Sequence, residues 1–121
     1  MTTFSKLALS NSVNGKNINI GSITSTTPTI IHTTQISNTI IDEVWLYAIN
    51  IDSADHILLV QFGGITVPDT IPILIPAYKG AILVIPGWIL TGNNTAGLNV
   101  SAYIQDTINT VVVSGYINRI Q

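Results

Sequence analysis

The sequence contains no cysteine, and only 8% of its residues are charged. Without cysteine there is no disulfide bond, thiolate metal site or cysteine nucleophile, and the redox compartment stays open. An average soluble protein has about 25% charged residues, and such charges help to keep monomers apart. Here Thr, Asn and Ser supply the polar surface, and they cost less to remove from water than charges do. The composition therefore predicts a protein that assembles with other subunits.

Basic residues are also scarce. The four that are present, Lys6, Lys16, Lys79 and Arg119, are scattered along a chain of net charge −2. Phosphate binding requires clustered Lys and Arg, so we expect no direct nucleic-acid partner. No apolar run reaches the roughly 18 residues of a membrane span. The N-terminus lacks the apolar core of a signal peptide. We therefore expect no membrane partner and no Sec export.

Helical periodicity is missing throughout, whereas turn signals recur about every ten residues. That spacing is typical of an all-β sandwich or barrel. A chain of 121 residues can form one domain with a sizeable core. We predict a single-domain β-sandwich of about eight strands. The prolines in the middle of the chain favour a jelly-roll-like arrangement, while an immunoglobulin-like sandwich stays open as the alternative.

The strongest strand signals lie at residues 40–50 and 56–62, which are rich in β-branched and aromatic side chains. Alternation places Val44, Leu46 and Ala48 on one face of the first run, and Trp45, Tyr47 and Ile49 on the other. Because both faces are apolar, the second one needs a cover, such as a long loop or another subunit. The polar residues 51–55 between the two runs predict a hairpin connection.

Residues 1–27 are rich in Ser, Thr and Asn and contain the turn dipeptide Asn14-Gly15. We interpret them as a weak hairpin or an N-terminal arm, and residues 28–121 as the sandwich domain. Prolines within residues 71–77 restrict that segment to an edge strand or an extended crossing. Residues 80–85 and 88–91 are expected to form two short strands, separated by Pro86-Gly87.

The last two strands are predicted at residues 98–105 and 110–117. In the first, apolar residues alternate with Asn99, Ser101, Tyr103 and Gln105, so we expect one buried face and one wet face. Tyr103 and Tyr116 fall on outward faces and could form a cross-strand aromatic pair.

Candidate catalytic residues are few. His32 and His56 have no partner at metal-ligand spacing, so we expect structural or surface roles for both. We expect no metal and no cofactor.

The acidic pairs are Asp42-Glu43 and Asp52/Asp55. Glycosidase chemistry would need two carboxylates that face each other across a cleft. Aspartates in turns commonly bind their own backbone, so we interpret Asp52 and Asp55 as turn residues. We expect no enzymatic activity; a small hydrolase using Asp42, Glu43 or Asp55 is the weakest alternative.

The aromatic residues suit an interface, where Tyr and Trp are enriched. The candidate interface residues are Trp45, Tyr47, Ile49, Tyr103 and Tyr116. A carbohydrate- or receptor-binding module, with Trp88 or Tyr103 stacking on a sugar, is the alternative.

Several short motifs also resemble a known family. They are WLYA (residues 45–48) with Asn50, ILLVQFGG (57–64), IPG (85–87) and VSGYINRI (113–120). In their order and spacing they resemble the small β-rich virion proteins of tailed bacteriophages, of the head decoration, cement or knob type. The similarity spans about residues 28–120 and leaves the N-terminal residues uncovered.

The resemblance implies a jelly-roll trimer that sits on the capsid surface, is made in the host cytoplasm and binds the major capsid protein. Its function would be mechanical, with no catalytic residues. We therefore expect a capsid-stabilising virion protein that acts as a homo-oligomer. The sugar- or receptor-binding alternative would place the protein on a phage fibre or tail.

Overall fold

The structure is a computed structural model that describes residues 2–121. Nine strands form two antiparallel sheets, which confirms the predicted all-β sandwich. The strands are β1 (Phe4–Ala8), β2 (Ile18–Asn19), β3 (Thr29–Thr33), β4 (Ile41–Asn50), β5 (His56–Phe62), β6 (Thr70–Ile75), β7 (Ile82–Thr91), β8 (Asn99–Tyr103) and β9 (Val111–Ile120). A short 3-10 helix, Val67–Asp69, precedes β6. No helix in residues 2–121 is long and apolar enough to cross a membrane.

The strand order identifies the topology. Sheet A has the order β1-β9-β4-β7, with the short β2 also paired to β9, and sheet B has the order β3-β8-β5-β6. With β2 set aside, the other eight strands counted along the chain read 1-8-3-6 and 2-7-4-5. This is the strand order of a jelly roll, in which the chain passes repeatedly from one sheet to the other. The predicted jelly-roll-like sandwich is therefore confirmed.

The central pair of strands does not form the predicted hairpin. β4 lies between β9 and β7 in sheet A, whereas β5 lies between β8 and β6 in sheet B. Residues 51–55 therefore cross between the sheets. Each of these strands lies in the middle of its own sheet, where both of its edges are paired.

The last two strands are separated in the same way, because β8 belongs to sheet B and β9 to sheet A. The expected cross-strand pair of Tyr103 and Tyr116 is therefore wrong. The exposure expected for one face of β8 is also wrong, since the Ser101 and Tyr103 side chains are only 2% and 6% exposed. Segment 22–27 runs along this face: the Ser25 carbonyl accepts a hydrogen bond from Gln61 Nε2, and Gln61 Oε1 accepts one from Ser101 Oγ.

The N-terminal residues are integral to the sandwich. β1 and β2 do not pair with each other, as a hairpin would require; both pair with β9. Leu9 and Ile20 are buried in the core. The turn at Asn14-Gly15 forms as predicted, with positive φ at both residues.

The core fills the space between the sheets. β4 alternates strictly between buried and half-buried residues along its length. The buried side chains of sheet A include Val44, Leu46, Ala48, Ile85, Val113 and Ile117; those of sheet B include Leu58, Val60, Val100 and Ala102.

The proline-containing segments behave in two ways. β6 is an edge strand of sheet B, as its prolines predict. The two short strands expected around Pro86-Gly87 are instead a single strand, β7, which continues through two register shifts against β4. A bulge absorbs the proline without ending the strand, because β7 is at an edge.

Candidate assembly surface

The side of sheet A that faces away from the core carries apolar and aromatic side chains on neighbouring strands. The cross-strand register brings together alternate residues of four strands. This outer face of sheet A comprises Phe4, Lys6 and Ala8 from β1, Val112, Ser114, Tyr116, Asn118 and Ile120 from β9, Ile41, Glu43, Trp45, Tyr47 and Ile49 from β4, and Leu83, Pro86, Ile89 and Thr91 from β7. Leu83, Ile89 and Phe4 are 43%, 60% and 72% exposed. These side chains make the face a candidate interaction surface.

A row of contacts crosses all four strands of this face. The rings of Trp45 and Tyr116 stack with their centroids 6.2 Å apart and their planes at 14°. On the β1 side, Lys6 Nζ lies 4.3 Å from the centroid of the Tyr116 ring. On the β7 side, a Cβ added to Gly87 would lie 2.7 Å from Cζ2 of Trp45, so only glycine fits there. The row holds the two rings flat against the sheet.

The charged side chains of this face contact neutral neighbours within it. Glu43 Oε1 accepts hydrogen bonds from Trp45 Nε1 at 2.7 Å and from Asn118 Nδ2 at 3.0 Å. These two bonds lower the pKa of Glu43 below its ordinary value of 4.5, and the bond from Asn118 has the larger effect. Lys6 is held over Tyr116. No other residue of the outer face as defined above carries a charge.

A shallow groove of about 390 Å³ lies in the middle of the face. It is lined by Asn17, Tyr47, Ile49, Ala81, Ser114, Gly115 and Tyr116. The lining contains no charged side chain, so an apolar or aromatic side chain could enter the groove without desolvating an ion.

The structure brings together four of the five candidate interface residues. Trp45, Tyr47, Ile49 and Tyr116 share the outer face of sheet A, whereas Tyr103 is buried in sheet B. The other candidate sugar platform, Trp88, is 46% exposed and meets the edge of Phe62 with ring centroids 5.7 Å apart. Trp88 belongs to sheet A, whereas Tyr103 belongs to sheet B.

Buried charge is concentrated at one end of β4. Asp42 is fully buried, and its carboxylate accepts hydrogen bonds from Arg119 Nε at 2.8 Å and from Arg119 Nη2 at 3.0 Å. Its Oδ2 also contacts His32 Nε2 at 2.8 Å. Burial alone would raise the pKa of Asp42, but the hydrogen bonds from Arg119 and His32 outweigh it and hold the pKa below the ordinary 3.8. The cluster ties β3 of sheet B to β4 and β9 of sheet A.

The hydrogen bonds of His32 define its tautomer. The Ser10 backbone N–H donates to Nδ1 at 3.0 Å, so the ring proton sits on Nε2 and is donated to Asp42. The Ser10 hydroxyl is engaged elsewhere, since it accepts a hydrogen bond from the Thr33 N–H. A nucleophilic serine would have to reach the imidazole with its hydroxyl. This Ser-His-Asp set therefore joins the two sheets and lacks the geometry of a catalytic triad.

The second histidine lies between two chain crossings. His56 is 4% exposed, and its Nε2 and Nδ1 contact Asp52 Oδ2 at 2.8 Å and Asp106 Oδ2 at 2.9 Å. Asp52 belongs to the crossing between β4 and β5, and Asp106 to that between β8 and β9. The hydrogen bond to Asp52, together with that to Asp106, outweighs the burial of the ring and raises the pKa of His56 above 6.5. Both carboxyl pKa values are lowered, chiefly by the hydrogen bond to His56.

The candidate acidic pairs do not face each other across a cleft. Asp42 and Glu43 are consecutive on β4 and point to opposite sides of sheet A. Asp52 also binds the backbone N–H of Ser53, as predicted for a turn residue, and Asp55 accepts a hydrogen bond from the Ala77 N–H. Within residues 2–121, no group of three or more His, Cys, Asp or Glu side chains could hold a metal ion.

Sequence reasoning missed three residues that shape these sites. Lys6 and Gly87 complete the row around Trp45, and Arg119 neutralises Asp42. One signal for Arg119 was present: Asp42 shares the alternation of Val44 and Leu46, so it had to be buried and needed a cation. No comparable signal predicts the cation–π contact, because it depends on which strand lies beside β9.

Comparison with protein-family models, curated proteins and solved structures finds no match to this chain.

Proposed function

We propose that this protein is a structural subunit that assembles with copies of itself through the outer face of sheet A. The observation that carries the proposal is the row of Trp45, Tyr116 and Lys6, which presents flat, half-buried aromatic rings on an uncovered sheet. Aromatic side chains of this kind dominate the energy of protein interfaces. Burial of apolar surface contributes about 25 cal/mol per Å² removed from water.

A second copy of the same chain suits this face for an electrostatic reason. Glu43 and Lys6 are the two charged residues of the face as defined above and have opposite signs, so two identical faces meet with no net charge on either. A highly charged partner would have to give up its hydration against a face that carries only one charge of each sign. The low overall charge of the chain, 8% of residues, fits the same interpretation.

The wider role proposed is that of a head decoration or cement protein of a tailed bacteriophage, acting as a homotrimer on the capsid surface. The motifs WLYA, ILLVQFGG, IPG and VSGYINRI support this role through their resemblance to that family. The jelly-roll strand order agrees with what the resemblance implies, and viral capsid domains commonly use this fold. The partner would be the major capsid protein, and the contribution would be mechanical cohesion rather than catalysis.

Two aspartate variants test the interface. Tyr47→Asp places a charge in the groove of the outer face of sheet A, so it should reduce the native mass to that of the monomer. Leu74→Asp is the matched control, because Leu74 is 59% exposed on β6 of the other sheet. The assignment is wrong if Tyr47→Asp stays assembled, or if both variants dissociate alike. Circular dichroism verifies that each variant keeps its strands.

Cosedimentation with phage heads stripped of their decoration subunits tests the capsid partner. Wild-type protein should pellet with the heads, and Tyr47→Asp should bind less because it arrives as a monomer. An assembled wild-type protein that stays in the supernatant would retain the self-assembly proposal and reject the capsid role.

One observation favours a second candidate, the carbohydrate-binding module. A groove of about 400 Å³ on the sheet B side is lined by Thr26, Thr27, Pro28, Ile30, Gly63, Gly64, Ile65, Gly97, Leu98, Asn99 and Ser101. Its hydroxyl and amide groups carry no charge, which suits a neutral sugar, but its lining contains no aromatic ring. Saturation-transfer NMR with neutral monosaccharides would detect such binding.

A further inference from the structure

The edges of the two sheets differ in how they are protected. A sheet edge exposes backbone N–H and C=O groups that can pair with a strand of another chain, and proteins usually block such edges. The edge strands here are β1, together with the short β2, and β7 in sheet A, and β3 and β6 in sheet B.

Three of the four long edge strands, β3, β6 and β7, are blocked. β6 contains Pro72, and β7 is interrupted by Pro86 and two register shifts. β3 is covered by the chain itself: Asn11 N–H donates to the Ile31 carbonyl at 3.2 Å, and Ser10 Oγ accepts from the Thr33 N–H at 2.8 Å.

The edge of β1 is regular and open. Its five residues, FSKLA, include no proline or glycine, and four of them are exposed. Within residues 2–121, its backbone makes no hydrogen bond other than those to β9. Lysine commonly protects an edge by projecting beyond it. Lys6 instead leans inward across β9, with Nζ 4.3 Å from the Tyr116 ring centroid.

We propose that the free edge of β1 binds an extended segment of another protein as an added antiparallel strand, with an acidic side chain opposite Lys6. Strand addition of this kind takes its affinity from backbone pairing and its selectivity from alternate side chains. A second copy of β1 fits poorly, because the register that pairs all five residues sets Lys6 opposite Lys6, and like charges directly opposite each other are destabilising.

The probe is the acetylated and amidated peptide TVEVT, whose central glutamate can face Lys6. Amide hydrogen exchange is measured by NMR with the peptide at millimolar concentration. We expect slower exchange at alternate residues of β1, because only every second N–H points away from β9. The peptide TVKVT should bind about fivefold more weakly, since it replaces an attractive cross-strand pair by a repulsive one.

Two controls separate strand addition from other binding. TVEVT that is N-methylated at every amide cannot donate backbone hydrogen bonds along either edge and should give no protection. The Lys6→Glu variant should reverse the order of TVEVT and TVKVT, while unchanged exchange in β9 verifies that the fold is kept.

Three results would overturn the proposal: no protection of β1 by TVEVT, equal protection by the N-methylated peptide, or an unchanged peptide order in Lys6→Glu. In the Tyr47→Asp variant, which should not assemble through the outer face of sheet A, protection of the same alternate residues of β1 that rises with protein concentration in the absence of peptide would also overturn it, because a second copy would then occupy the edge.

Discussion

Gly87 lies so close to Trp45 that a Cβ atom at position 87 would be 2.7 Å from Cζ2 of the indole ring. The same glycine has a φ angle of +78°, which L side chains rarely adopt. The bulge in β7 therefore creates the space in which the indole lies flat, and the indole in turn supports Tyr116. A distortion at an edge strand thus determines the shape of the outer face of sheet A.

The first prediction compares two glycines with nearly identical backbone angles. Gly80 has φ +76° and open space around its Cα, so Gly80→Ala should cost only backbone strain, about 1 kcal/mol. Gly87→Ala adds the clash with Trp45 and should cost about 1–3 kcal/mol more. Urea unfolding of both variants measures the difference. Equal losses would show that the indole is free to move away from β7.

The second prediction concerns the buried charge of Asp42. Arg119→Ala leaves that carboxylate without its cation and should reduce the free energy of unfolding by about 3 kcal/mol. Arg119→Lys keeps the charge but loses the two-pronged contact, so its loss should be smaller. Lys79→Ala, at an exposed position, serves as the neutral reference. If urea unfolding gave Arg119→Ala and Lys79→Ala the same free energy of unfolding, a stabilising role for the cluster would be contradicted.

The third prediction is a pH dependence that arises from His56. Its pKa is raised above the ordinary 6.5, so its stabilising effect is complete below pH 6.5 and is lost as the pH rises through the folded-state pKa. Neutral imidazole has one N–H and can donate to only one of Asp52 and Asp106. The lowered pKa values of Asp52 and Asp106 have the opposite pH dependence. Their contribution to the free energy of unfolding is present at higher pH and is lost as the pH falls through these values, below 3.8.

Urea unfolding at a series of pH values tests this dependence, and NMR titration of the imidazole gives the His56 pKa directly. The loss of stability on the alkaline side should disappear in His56→Gln. A wild-type profile that is flat above pH 6.5, or an identical slope in the variant, would show that the two chain crossings are not joined by the charged histidine.

Local chemistry was sufficient to predict most of the strands. The bounds of β5 were predicted without error, because a run of apolar and β-branched residues ends at two glycines. The segment that contains β6 was predicted as an edge strand or an extended crossing because Pro72 lacks a backbone N–H, and the first of these two is correct. Such features depend on residues that are neighbours in the sequence, so no knowledge of the rest of the fold was needed.

Pairing between strands was harder to predict. A five-residue connection such as 51–55 can close a hairpin or cross to a second sheet, and side-chain alternation is the same in both cases. β4 pairs with β7 and β9, and both of these strands lie far from it along the chain. This is why the hairpin prediction failed, and with it the pairing of Tyr103 and Tyr116.

Only the part of the candidate surface that lies on β4 was predicted. Trp45, Tyr47 and Ile49 alternate on β4, and that alternation indicated a second apolar face in need of a cover. The contributions of Lys6 and Gly87 depend on the order β1-β9-β4-β7, which is a property of the whole fold. Tyr103 failed as an interface residue because it is buried in sheet B, which the alternation of one strand does not reveal.

The native mass of the wild-type protein in solution is the most direct test of the central claim, that the outer face of sheet A joins identical subunits. Sedimentation or native mass spectrometry at micromolar concentration should give a stable multiple of 13.0 kDa, with three copies expected. A stable monomer throughout the micromolar range would contradict the claim, because the row of Lys6, Tyr116 and Trp45 would then face water.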